Sequence, residues 1–155
     1  MADGIEAVCH CGAVRLSVPE APTSVTSCNC TLCHAYGALW AYYSDADVCL
    51  PAAELTQRYS HGDKMIAFHR CSNCGCTTHW VGLDAAGGAT ERSSNAGRMA
   101  INARLLPRAV LQGASVRALD GLESWRVMDE DFTWAYCPTQ SRITAREVRL
   151  PKPGL

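Results

Sequence analysis

Eight of the ten cysteines in this chain fall into three short clusters, and that clustering limits its folds more than any other feature. The clusters are Cys9-His10-Cys11-Gly12, Cys28-Asn29-Cys30-Thr31-Leu32-Cys33 and Cys71-Ser72-Asn73-Cys74-Gly75-Cys76. Zinc takes four ligands tetrahedrally, and cysteines two or three positions apart let one short segment fill two corners. Residues i and i+2 of a strand share a face, so Cys9 and Cys11 can reach one ion. Cys71 and Cys74, followed by Gly75 where positive φ costs little, have the spacing of a zinc knuckle. Each pair is half of a closed site, and the 60 residues between Cys11 and Cys71 make that crosslink entropically useful. The competing reading, buried free thiols or a disulfide, suits a cytoplasmic chain less well.

The middle cluster differs in kind. Cys28, Cys30 and Cys33 fill three corners and leave the fourth to water, a substrate thiolate or a protein group such as Cys76 or His79. An open position separates catalytic from structural zinc. The alternatives are a second structural zinc, completed by Cys76 or His79, and a redox-active dithiol. His34 and His79 are weak candidates for a proton donor, with a hydrogen-bonded sheet histidine as the competing reading of each. Cys49, between Val48 and Leu50, and Cys137, before Pro138, read as small buried hydrophobes.

The rest of the chain reads as mainly β. Alternation or β-rich composition predicts strands at Ala13 to Val18, Gly37 to Tyr43, Leu55 to Ser60, Met65 to Arg70, Thr77 to Leu83 and Arg98 to Leu106. Their close spacing implies small antiparallel sheets, with few short helices, the best at Pro107 to Gln112. Ala85 to Gly88 reads as a loop tip, and Ile143 to Leu150 as the one strand-like stretch near the C-terminus. Trp40, Tyr42 and Tyr43 either fill a core or wall a ligand pocket. With 155 residues, no linker and no repeat, the chain reads as a single domain, 1–155, its motifs within about 5–125. The net charge of −1 without charge runs speaks against nucleic acid and anionic membrane as partners. No apolar stretch approaches the ~20 residues of a membrane span, and Met1 to Cys9 is too short and acidic for a signal peptide, so a cytoplasmic location is expected.

The three cysteine motifs, with Phe68-His69-Arg70 before the third, resemble the glutathione-dependent formaldehyde-activating enzymes, which share a fold with the Mss4 and centromere protein V groups. Residues 5 to 83 carry most of the likeness; Asn102-Ala103-Arg104, Asp120-Gly121 and Trp125 look like the family's later segment. The resemblance implies a Mss4-like β fold with two zincs per chain. By position, Cys9, Cys11, Cys71 and Cys74 match the structural ligands, and Cys28, Cys30 and Cys33 the catalytic ones. It implies a carbon–sulfur lyase that adds a small thiol, glutathione, to an aldehyde, formaldehyde. The sequence is compatible with a homo-oligomer and does not fix the oligomeric state. His34 stands where the family often has a basic residue. Arg15, Arg58, Lys64 and Arg70 are the cations available for the carboxylates of glutathione. Other readings are a zinc-stabilised binding module without turnover, and a thiol redox sensor.

Overall fold

The computed structural model describes residues 4–83 and 97–133. Ten strands lie among these residues, and the mainly β expectation holds. A hairpin of β1 (Ile5–Val8) and β2 (Arg15–Val18) forms one sheet. The other eight strands, β3 (Ser24–Cys28), β4 (Trp40–Ser44), β5 (Thr56–Tyr59), β6 (Ile66–Cys71), β7 (Thr77–Gly82), β8 (Arg98–Asn102), β9 (Ser115–Leu119) and β10 (Val127–Thr133), form a second. Its order is β10-β9-β3-β4-β8-β7-β6-β5. All its pairs are antiparallel except β3 and β9, which run parallel, a departure from the all-antiparallel expectation. The single α-helix described, α1 (Thr31–Tyr36), follows β3. The predicted helix near Pro107 is a 3-10 turn, Arg108–Leu111. Ile143 to Leu150, the Ala85 to Gly88 tip and Cys137 lie outside the described residues.

The strand period separates two apolar layers. On one face of the large sheet, Val25, Ala41, Met99 and Ile101 pack with Ala7, Val14, Leu16 and Val18 of the hairpin, and Cys9 and Cys71 belong to this layer. On the other face Trp40, Phe68, Trp80 and Ala100 pack with Cys33, and Cys28 and Cys30 border them. The two cysteine groups therefore belong to the layers on opposite faces of one sheet. β8 stops at Asn102 rather than Leu106 because the Asn102 side chain accepts from the Arg104 backbone N–H at 3.3 Å and caps a 3-10 turn, Ala103–Leu105. The buried Asn102 also accepts from Leu39 N–H at 3.3 Å and donates to the Thr77 carbonyl at 3.0 Å.

Candidate metal centres and the adjoining pocket

The first cysteine group is built from two similar turns. Cys9 N–H bonds the Val14 carbonyl and Gly12 N–H the Cys9 carbonyl, both at 3.0 Å. Cys71 N–H bonds the Cys76 carbonyl at 2.9 Å and Gly75 N–H the Cys71 carbonyl at 3.0 Å. Gly12 and Gly75 take φ of 79° and 73°, a left-handed conformation that glycine adopts without Cβ strain. The turns bring the Sγ atoms of Cys9, Cys11, Cys71 and Cys74 all within 4.8 Å of one another, a group that could hold a metal ion. Backbone N–H groups aim at the sulfurs: Val14 N lies 3.2 Å from Cys9 Sγ. The Cys74 thiol is drawn down to about 5, first by the Cys76 N–H and then by that of Cys11, while burial opposes them. Ala13 N–H, then Asn73, lowers Cys11 in the same way. Donors converging on sulfur favour the thiolate, the form that binds metal.

The second group rests on α1. Cys30 is the N-cap of this helix, its Sγ accepting from Cys33 N–H at 3.4 Å, and Gly37 closes it at φ 58°. One turn of helix thus turns Cys30 and Cys33 towards Cys28 at the end of β3, and the three Sγ atoms lie within 4.8 Å of one another. Trp40 Nε1 donates to Cys33 Sγ at 3.2 Å, and Cys30 N lies 3.5 Å from Cys28 Sγ. The Cys28 thiol is drawn down to about 5, chiefly because the Cys33 S–H donates to it, with the N–H groups of Cys30 and Gly121 assisting against burial. Cys33, the donor in that bond and itself buried, is pushed up.

These three cysteines wall a cavity of about 670 Å³. Its floor follows the strand register: Tyr42 pairs with Ala100, Ala100 with Trp80 and Trp80 with Phe68. Ala100 leaves the gap across which the Tyr42 and Trp80 rings meet edge to face at 5.8 Å. The walls are α1, the loop bearing His61 and Asp63, and the loop bearing Gly121, Leu122 and Trp125. Trp40 and Tyr42 line the cavity as the pocket reading anticipated; Tyr43, one residue out of phase, does not. Gly121 lies so close to the cysteines that a Cβ there would collide with Cys28 Sγ.

Several single-residue expectations are corrected. His79 does not line the cavity: it is buried at 2% exposure, stacked on His69 at 4.4 Å and bonded to Thr78 Oγ1 at 2.9 Å. It is the hydrogen-bonded sheet histidine of the competing reading. His34 is exposed on α1 and likewise does not line the cavity. Cys76 packs against the layer that holds Cys9 and Cys71, and its neighbours are Cys74 and the His10 backbone, so it is no fourth partner for Cys28, Cys30 and Cys33. Cys49 is exposed rather than buried, because its bridge to Ser17 turns Val48 inward and Cys49 outward. Arg15 pairs with Glu6 at 2.9 Å and Arg70 binds Gln57 at 2.8 Å; neither they nor Arg58 nor Lys64 lines the cavity, whereas Arg98 does. His61, Phe68, Trp80, Gly121 and Trp125 were not singled out as pocket residues from the sequence.

Fold and site together define a cysteine-rich β protein with two separate sulfur groups able to hold metal, one beside a cavity. The family model for the glutathione-dependent formaldehyde-activating enzyme matches residues 4–110, and the chain belongs to that family. Among solved structures it is similar to a crystal structure of a Rhodobacter sphaeroides protein from structural genomics, at 26% identity and a TM-score of 0.54. That match covers 67% of this chain and 89% of the other. No curated protein matches the chain. Among the described residues no helix is long and apolar enough to cross a membrane.

Proposed function

We propose that this chain joins a small thiol such as glutathione to an aldehyde such as formaldehyde, a carbon–sulfur lyase chemistry run at a zinc held by Cys28, Cys30 and Cys33. In the same reading Cys9, Cys11, Cys71 and Cys74 hold a second, structural zinc. The observation that supports this most is the contrast between the two sulfur groups: one has four members, enough for a closed tetrahedron, and the other has three and borders a cavity. When bound, zinc keeps a coordinated thiol deprotonated near neutral pH.

The chain's own residues do the rest. The N–H groups of Cys30, Cys33, Gly121 and the Trp40 ring spread the charge on three sulfurs and fix their orientation. The cavity holds the carbonyl against the thiolate, and positioning of this kind counts for more than polarisation beside three electron-rich thiolates. The sulfur lone pair forms the new C–S bond and the carbonyl π pair moves onto oxygen. That oxygen takes up one proton, balancing the one the thiol released. Tyr42 lines the cavity with its hydroxyl bonded to Thr26, and solvent carries the proton released by the thiol to the aldehyde oxygen.

The test is exchange NMR on glutathione and formaldehyde with zinc-loaded protein. Acceleration over the protein-free rate is expected, together with its loss in Cys30→Ser, which should also lose one zinc and keep its far-UV circular dichroism. A fully loaded wild type that leaves the exchange rate unchanged contradicts the reading.

A further inference from the structure

Formaldehyde has two heavy atoms, little more than a water, whose share of liquid volume is about 30 Å³. The cavity of about 670 Å³ is many times larger. Glutathione, with two carboxylates and an ammonium, finds polar partners in Thr31, His61, Asp63 and Arg98, but it has little use for the rings of Trp40, Tyr42, Phe68, Trp80 and Trp125. The last of these rings is costly to hold where it is. Trp125 has φ 57°, a left-handed backbone that bulky residues avoid. It also stands 69% exposed at the cavity, beside Leu122 at 57%.

The turn that carries Trp125 is heavily fixed. Trp125 N–H bonds the Asp120 carbonyl at 2.6 Å, and Asp120 N–H bonds the Arg126 carbonyl at 2.9 Å. The Asp120 carboxylate accepts from Ser124 Oγ at 2.7 Å and Asn29 Nδ2 at 3.0 Å. Asn29 lies between Cys28 and Cys30, and its Oδ1 accepts from Leu122 N–H at 3.0 Å. The strained turn is thus tied to the cysteine motif itself. Strain that the surroundings over-determine is characteristic of ligand clamps, and an exposed aromatic lining one cavity with four other rings leaves apolar surface for a ligand to cover.

We propose that the carbonyl partner is an aldehyde with an aromatic or similarly bulky apolar body, and that Trp125 determines this specificity by closing over that body. The proposal rests on the thiol–aldehyde reading above and names its substrate class. The reaction balances as before: thiol and aldehyde combine into one hydroxy thioether, with nothing oxidised or reduced.

The experiment uses zinc-loaded protein, glutathione, and either phenylacetaldehyde or formaldehyde, with uncatalysed rates subtracted. The informative variant is Trp125→Gly, since glycine accepts φ 57° and removes the ring without adding strain. The expected results are a kcat/KM for phenylacetaldehyde at least tenfold above that for formaldehyde, and a fall in this ratio of at least tenfold in the variant. In parallel, unreactive 2-phenylethanol should blue-shift the wild-type tryptophan emission saturably, methanol should not, and the variant should lose the response. A wild-type preference for formaldehyde, or a ratio unmoved by Trp125→Gly, overturns the proposal and leaves the reaction standing. If neither aldehyde turns over while 2-phenylethanol still binds through Trp125, the reaction is refuted and the aromatic selectivity of the cavity is supported. No saturable response to 2-phenylethanol overturns that selectivity.

Discussion

Gly121→Ala is the smallest change that tests whether Cys28, Cys30 and Cys33 form a metal site. The added methyl would press on Cys28 Sγ and come within 3.3 Å of Cys30 Cβ, so both neighbours belong to the site. Ordinary contact distances are about 3.5–4.0 Å, so relief requires the sulfur to move by about 1 Å. Metal–ligand distances in a genuine site hold to about ±0.2 Å, several times less. The displacement would also disturb the Gly121 N–H bond to the Cys28 sulfur. Overpacking by one methylene costs about 1–3 kcal/mol. Spent on this site, that is a loss of roughly 5- to 150-fold in affinity at about 1.4 kcal/mol per tenfold. Zinc competition against a graded chelator, with mass spectrometric counting, should find one site weakened by this factor and the Cys9, Cys11, Cys71, Cys74 site unchanged. Wild-type affinity at both sites would refute the reasoning, as would equal weakening of both.

Three further outcomes are expected. Cys11→Ser should release zinc and unfold the protein, because structural zinc contributes about 10–16 kcal/mol in small zinc-finger peptides, comparable to a domain's entire stability; a cooperative, native-like thermal transition in the variant contradicts this. Asn102→Ala should lower stability by about 2–6 kcal/mol in urea denaturation, because it strips partners from the Leu39 N–H and the Thr77 carbonyl, each costing about 1–3 kcal/mol; a change below 1 kcal/mol, on the order of an ordinary surface substitution, would tell against the role given to this residue. His79, pushed down to about 3 by burial and then by His69, stays neutral in the fold while its unfolded form titrates near 6.5. The unfolded chain then binds the extra proton between those values, so stability falls with pH below about 6.5, by up to ~1.4 kcal/mol per unit. Denaturation curves at stepped pH should show a shallower slope for His79→Gln than for wild type, and identical slopes would dismiss the histidine as the cause.

The parts of the fold legible in the sequence are those with local periodicity. Arg98–Asn102 alternates and is a strand; the four knuckle cysteines announce themselves by spacing and by glycines that need positive φ. β3 and β9 were missed because they are five residues each, with serine and threonine among their apolar positions, and their pairing joins segments some 90 residues apart. α1, six residues long, is too short for a helical period to register, although Gly37 as a stop signal was available. The cavity was legible only through its cysteines, Trp40 and Tyr42. Phe68 and Trp80 join them through sheet register, and Gly121 and Trp125 through the Asn29–Asp120 bond, neither of which is a local property of sequence. His79 invited a catalytic reading because it stands near a cysteine cluster in sequence, yet its contacts are to Thr78 and His69.

Native mass spectrometry of the purified protein, before and after glutathione, tests most directly whether one sulfur group is closed and the other open. Two zincs per chain are expected, with glutathione adding to the loaded protein, and with Cys30→Ser retaining one zinc and losing the adduct. Two zincs retained in Cys30→Ser, or a glutathione adduct that survives the substitution, would contradict the assignment of the three-cysteine group as the open site.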